Sequence, residues 1–574
     1  MKMEAILKNL QHLREQELHS NIAKICNLAL TLGEQKPGSF SIQAKNQILL
    51  YYADALYQMH QYLQAEHFYR QALEMRKNSL KKSKNHKIND NQSDIPSDVD
   101  IKYKIHLCLI ALKQNSAAKE ILQTIPARML TPKINMALGC LYRDCGMERS
   151  ALTCFKEVLK ECPLALDAIE NLLKLGVKGT EVSSLIVDLS SEVSWLNQWV
   201  KAQAQMNARE FANAIKSFKS MDTHGLLKDN TYLSVSMAYC YHYMCEDNKA
   251  ISILQKALRL DPSLVAGRDL LSTLLAESGT KDHIQTLERL VPSMDTSLWQ
   301  CEHWIVLGNY NLATKKYDKA AYFGQQALVM DRTNVDAYLL KANALLHLKE
   351  YSMVASHCTE ALQLCSYRYD IHKCLVECYI QSSRLREAES VAINACRQLN
   401  FSAHGYCLHA AVLLKDPMAS SKTLRKTLEK AVSLDKNGLT TALPMLAEYI
   451  MSDQQYEQAV ELIQKHIDSH RPTSKLHLLL ADCFVALRKD EDAFTHYNLA
   501  LKLDPNNQKA TEGLNNIGTS MSVSKIDSYY SSMFDGTSYQ TPSSTAKNNL
   551  SDHEADPESD TDAWPAVADV SNFD

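Results

Sequence analysis

Small side chains, with three larger substitutes, recur along this chain about one helical hairpin apart, and that interval limits its possible folds more than any other feature. Following them gives Ala65, Ala118, Ala151, Ala214, Ala250, Ile284, Ala320, Val354, Ala388, Leu424, Ala459 and Ala493. From Ala214 onward the steps are 36, 34, 36, 34, 34, 36, 35 and 34 residues. The gap of 63 residues between Ala151 and Ala214 leaves room for one degenerate unit near Ser183. Such a period marks a repeat array, whose units cannot bury their apolar faces alone and are covered by their neighbours. About thirteen units fit the chain at this period.

Individual units show which residue types the repeat needs. In the unit running from Asn135, Leu138, Gly139, Tyr142, Ala151, Phe155 and Pro163 fall on the tetratricopeptide positions for Leu, Gly, Tyr, Ala, Phe and Pro. A second unit carries Trp304, Leu307, Gly308, Ala320 and Ala327, and a third carries Leu480, Ala481, Phe484, Ala493, Tyr497, Ala500 and Pro505. Small residues let the two helices of a hairpin approach closely, and the large ones fill the space around them. Proline closes the second helix because it cannot continue the hydrogen-bond ladder. The predicted fold is therefore all-α, a tetratricopeptide-repeat superhelical solenoid of about thirteen helix-turn-helix repeats.

Composition agrees with long helices and short connections. Only 16 Gly and 14 Pro occur in 574 residues, too few for the many turns of a sheet-rich fold. A net charge of −4 gives no general attraction to nucleic acid, so none is expected as a partner. The opening residues are charged throughout, unlike a signal peptide, and no stretch approaches the roughly 18–20 apolar residues of a membrane span. The 16 cysteines are scattered, often beside Ala and Leu, and read as reduced, small apolar residues. No CxxC or zinc-finger spacing occurs, so neither a metal nor a cofactor is expected.

The chain divides by composition. Residues 1–75 read as N-terminal helices and a first repeat. Their apolar faces, among them Leu7, Leu10, Ile22 and Leu28, suggest a dimerisation region. Residues 76–100 are polar, first basic and then acidic, and read as a disordered insertion. The repeat array occupies 101–300 and 301–519, and the Ser- and Asp-rich residues 520–574 read as a disordered acidic tail.

No phosphate-binding loop, dinucleotide fingerprint, HExxH or GxSxG motif appears, and no histidine stands at catalytic spacing, so catalysis is not expected. Binding remains. The first helix of each unit lines the groove of such a solenoid, and Asn309 and Asn343 occupy the same groove position in consecutive units. Their amides suit hydrogen bonding to an extended peptide, with Lys373 in the next unit placed for a terminal carboxylate. One cation in three units is weak support for an adaptor or chaperone cofactor gripping acidic C-termini.

The runs IPARMLTPKINMALGCLY (125–142), CPLALDAI (162–169) and VKGTEV (177–182) are more specific than the repeat positions. With them, nearly the whole chain resembles the subunit-seven family of the anaphase-promoting complex, or cyclosome. Ile284, Leu424 and Arg332 depart from the repeat pattern, which weakens transfer of single residues. The resemblance implies a non-catalytic scaffold that forms a homodimer and stacks with other tetratricopeptide-repeat subunits. The assembly would be a ubiquitin ligase that marks cell-cycle proteins for destruction, with catalysis in cullin-like and RING subunits. It also implies a place in the nucleus and cytoplasm, and at the mitotic spindle.

Overall fold

The structure, a computed structural model, describes residues 3–35, 41–82, 96–187, 193–224, 227–291, 299–435, 438, 440–469 and 473–520. Of the anticipated insertion, 83–95 lie outside the described residues, as does the anticipated tail beyond Ser520. Residues 76–82 complete the helix Tyr62–Lys82, and 98–100 open the helix Asp98–Ala111, so helices reach into both ends of the polar stretch. Ser97 and Asp100 make a reciprocal capping box at that restart, which satisfies amides that a helix N-terminus leaves orphaned.

Among the described residues there are 29 α-helices, a short 3₁₀ turn and no strand. Thirteen antiparallel pairs follow one another, from Ile42–Gln58 with Tyr62–Lys82 to Ser474–Ala486 with Asp490–Leu503. A further pair, Met3–Glu15 and His19–Gln35, precedes them, and the helix Gln508–Ser520 follows. Two compact units divide the chain, one from Met1 to Ala442 and the other from Leu443 onward. The degenerate unit anticipated near Ser183 is a pair of stunted helices, Leu166–Lys174 and Gly179–Leu185.

The turn inside nearly every pair has one form. In twelve of the thirteen pairs a residue just past the first helix, the second beyond it in all but Gly279, is left-handed: His60, Lys113, Gly146, Gly176, Arg209, Cys245, Gly279, Lys315, Lys349, Ser383, Gln454 and Arg488. In eleven of them the next amide then reaches back five residues, as Gln61 N does to Leu56 O at 2.9 Å and Glu350 N to Leu345 O at 3.0 Å. This satisfies carbonyls at the helix end and reverses the chain within three residues. Only three of the twelve are glycine, so most turns hold a side chain in a conformation that costs roughly 1–2 kcal/mol.

Packing follows the small-residue interval. Ala65, Ala118, Ala151, Ala214, Ala250, Ala320, Val354, Ala388, Ala459 and Ala493 are all fully buried where the second helix meets its partner. Ile284, one of the departures, is only half-buried. Leu138, Gly139, Phe155, Gly308, Ala481 and Ala500 are buried, whereas Tyr142 and Trp304 are half-buried. Trp304 stacks on Phe323 and meets Trp299 edge-on. Pro163 and the exposed Pro505 each follow the cap of a second helix and stop it there. In the first unit, the core around Ile101 and Leu138 and the core around Phe155 and Trp199 share Tyr142 at their join. Within a unit, a pair thus lends its apolar face to the next.

Twelve of the 16 cysteines are buried, and Cys145 and Cys162 are the exposed ones. Burial pushes the thiols of Cys26, Cys108 and Cys240 up to about 12, so they pack as small apolar groups.

Gly139 shows how close the helices of a pair come. A Cβ there would lie 2.6 Å from Cε1 of Phe155, whose ring is fully buried. Gly139→Ala is expected to lower stability, because overpacking costs about 1–3 kcal/mol against the about 1 kcal/mol that alanine gains in a helix. A thermal melt followed by circular dichroism checks this, and an unchanged or raised midpoint contradicts it.

Candidate functional site

Four successive first helices in the first unit carry an acid as their second residue. Asp269 lies in Arg268–Ser278, Glu302 in Cys301–Ala313, Asp336 in Val335–His347 and Asp370 in Tyr369–Gln381. A helix N-terminus favours negative charge, which explains an acid at this place in one repeat. The repeat then stacks the acids one unit apart. Asp269, Asp336 and Asp370 are nevertheless buried, and a buried carboxylate needs a counter-charge or a proton.

Arg368 supplies the charge. It precedes the helix Tyr369–Gln381 and is only 3% exposed. Its Nη2 donates to Asp336 Oδ1 at 2.9 Å and to Asp370 Oδ2 at 2.5 Å, and its Nε donates to Asp370 Oδ1 at 3.1 Å. One guanidinium thus grips Asp370 bidentately and ties it to the preceding repeat. His242, four repeats earlier, closes the network from the other side. Its Nδ1 lies 2.9 Å from Asp247 Oδ1 and its Nε2 lies 3.5 Å from Asp370 Oδ2. Burial opposes charge on this imidazole, but the hydrogen bonds to Asp247 and Asp370 outweigh it and lift His242 to about 9. Burial would likewise raise Asp370, yet Arg368 and His242 hold it far below the usual carboxylate range. Asp269 has no such cation. Burial, and then the neighbouring Asp336, push it up to about 7, while the Tyr239 hydroxyl donates to it at 3.2 Å and the Leu270 amide at 2.8 Å.

The residues anticipated from sequence sit beside this network rather than in an open groove. Asn309 is 1% exposed, and its Nδ2 donates to Ser272 Oγ at 2.9 Å and Thr273 Oγ1 at 3.1 Å. Its amide N–H groups are therefore taken up by the neighbouring first helix, which corrects the expectation of two free amides one repeat apart. Asn343 is half-buried. Lys373 is partly exposed and pairs with Glu277 across 96 positions of sequence, so its charge is already answered. Arg368 and His242 were not foreseen. The acids at 269, 302, 336 and 370 were a readable signal, because a buried ladder of one sign requires a cation nearby.

A cavity of about 180 Å³ adjoins the network, lined among others by His242, Asp247, Glu277, Lys373, His404 and Cys407. Burial pushes the Cys407 thiol up to about 11, which leaves it a poor nucleophile. Among the described residues no group of three metal-ligating side chains comes together, and no helix is long and apolar enough to cross a membrane. The arrangement braces helices; its charges face one another.

The shift of Asp269 carries a stability signature. Its folded carboxyl keeps a proton that the unfolded chain gives up near pH 3.8, so that contribution is present at low pH and lost as pH rises towards about 7. Asp269→Asn mimics the protonated acid and removes this dependence. Between pH 5 and 7 the wild-type chain should lose stability relative to the variant by up to about 1.4 kcal/mol per pH unit. Parallel stability curves in urea unfolding across that range would contradict the assignment.

Comparison with known proteins places these features. A tetratricopeptide-repeat family model matches residues 445–508. Anaphase-promoting complex subunit 7 of Homo sapiens is 35% identical over 518 residues, covering 88% of this chain and 91% of that protein. The protein of the same name in Arabidopsis thaliana is 24% identical over 84% of this chain and 88% of its own length. A chain in the crystal structure of the APC/C hetero-tetramer Cut9-Hcn1 shares the fold, with a TM-score of 0.50 and 15% identity over 90% of this chain and 96% of that one. At 35% identity over nine-tenths of the human protein, this chain belongs to the anaphase-promoting complex subunit 7 family.

Proposed function

We propose that the chain is a non-catalytic scaffold subunit of the anaphase-promoting complex, a ubiquitin ligase that marks cell-cycle proteins for destruction, and that it works in the nucleus and cytoplasm. The observation that carries this reading is the similarity to subunit 7 proteins over 84–88% of this chain. Stacked hairpins suit the role, because a repeat array presents a long surface built from many small faces. Its partners are other tetratricopeptide-repeat subunits. The peptide-adaptor alternative loses its main support, since Asn309 is consumed by Ser272 and Thr273 and Lys373 is paired with Glu277.

Self-association through the N-terminal helices completes the proposal. Leu28 and Leu32 lie one turn apart on His19–Gln35 and are 66% and 48% exposed, and Leu63 in Tyr62–Lys82 is 66% exposed. Large apolar side chains left bare on neighbouring helices favour a partner that covers them. A second copy supplies the same faces about a two-fold axis.

Two measurements test the proposal. Affinity purification of the tagged full chain from its own cells should recover cullin-like, RING and other tetratricopeptide-repeat subunits, and their absence overturns the scaffold reading. In light scattering coupled to gel filtration, the purified chain should weigh two copies at micromolar concentration, and Leu28→Glu with Leu32→Glu should shift it to one. A wild-type monomer removes the dimer and leaves the scaffold reading standing.

A further inference from the structure

The turn joining Tyr351–Leu364 to Tyr369–Gln381 touches helices that lie far from it in sequence. Its Tyr367 ring is covered from three sides. The Arg209 guanidinium carbon sits 4.7 Å from the ring centroid, Tyr243 meets it edge-on at 5.2 Å, and Phe211 lies at 6.0 Å. Phe211 and Tyr243 also touch each other at 5.0 Å, so they form one aromatic seat. Arg209 Nη2 reaches Ser366 Oγ at 3.5 Å. The turn itself is held in shape from behind. Arg368 is anchored to Asp336 and Asp370, and His372 Nε2 lies 2.9 Å from the Ser366 carbonyl. A second contact, His242 with Asp370, crosses the same divide.

We propose that Tyr367 and its turn form an intrachain latch that fastens the tenth repeat to the fifth and sixth. The latch occupies the face lined by first helices in this stretch with the chain's own side chains. In an ordinary array each pair contacts only its neighbours, and distant pairs are coupled only through the pairs between them. Here an aromatic–cation contact joins repeats about 160 residues apart directly, and such contacts are worth most where water is excluded. Two consequences follow for interactions. The face lined by first helices between the sixth and tenth repeats is bridged by the chain's own side chains, with only the cavity of about 180 Å³ beside Asp370 left, so extended partners of this stretch meet the second helices and the turns. The spacing of those outer faces is also set before any partner arrives. This inference does not depend on the proposed place in the ligase.

Hydrogen exchange of the full-length chain tests the latch. Tyr367→Ala should raise amide exchange at least about tenfold in the turn 364–369 and also in residues 205–212 and 239–246, with helicity by circular dichroism unchanged. Tyr367→Phe keeps the ring and should keep the protection. If Tyr367→Ala does not fold, Arg209→Ala provides the reciprocal measurement, with faster exchange expected in 364–369. A rise confined to the mutated segment in either variant overturns the latch. So does loss of protection in Tyr367→Phe, because the contact would then not be borne by the ring.

Discussion

Everything in this molecule depends on one helix pair covering the next. A hairpin of two helices exposes an apolar flank that it cannot bury on itself, and within each compact unit such flanks are closed by the first helix of the following pair. The closeness needed is visible at Gly139, where the Phe155 ring leaves no room for a methyl group, and at the fully buried alanines of the second helices. The turns pay for this geometry. Nine of the twelve left-handed positions carry side chains, so the reversal is maintained by packing and by the recaptured carbonyls rather than by glycine's freedom.

Repetition also propagates electrostatics. An acid beside a helix N-terminus is favourable once; stacked four times, with three of the four buried, it becomes a problem that the rest of the fold must solve. Arg368 and His242 solve it for Asp336 and Asp370, and a retained proton solves it for Asp269. The same arginine holds the turn that carries Tyr367, so neutralising the acids and linking remote repeats rest on one side chain. Removing either acid partner would leave that guanidinium short of a counter-charge in a place water does not reach.

The array was legible because its cause is local. Ala151 and Ala493 are small for reasons set within their own hairpins, and an interval of 34–36 residues survives even where Ile284 or Leu424 replaces the small residue. The N-terminal helices were equally readable from apolar spacing. The groove residues were not. Asn309 looks free when only its own repeat is considered, and it is spent because Ser272 and Thr273 lie on the neighbouring helix. Arg368 stands outside a helix, and its partners Asp336 and Asp370 acquire meaning only when the repeats are stacked. Contacts such as Arg209 with Tyr367 join positions that no periodicity relates.

The distribution of thiols has a practical side. Cys145 ends the first helix of its pair and Cys162 caps the second, so the two exposed sulfurs bracket the helix Glu148–Glu161. Most of the other thiols are sealed inside the packing. An alkylating dye offered briefly to the native chain therefore has two natural anchorages, both on one hairpin, and a fluorophore pair there would report the opening of a single repeat without any cysteine having to be engineered away.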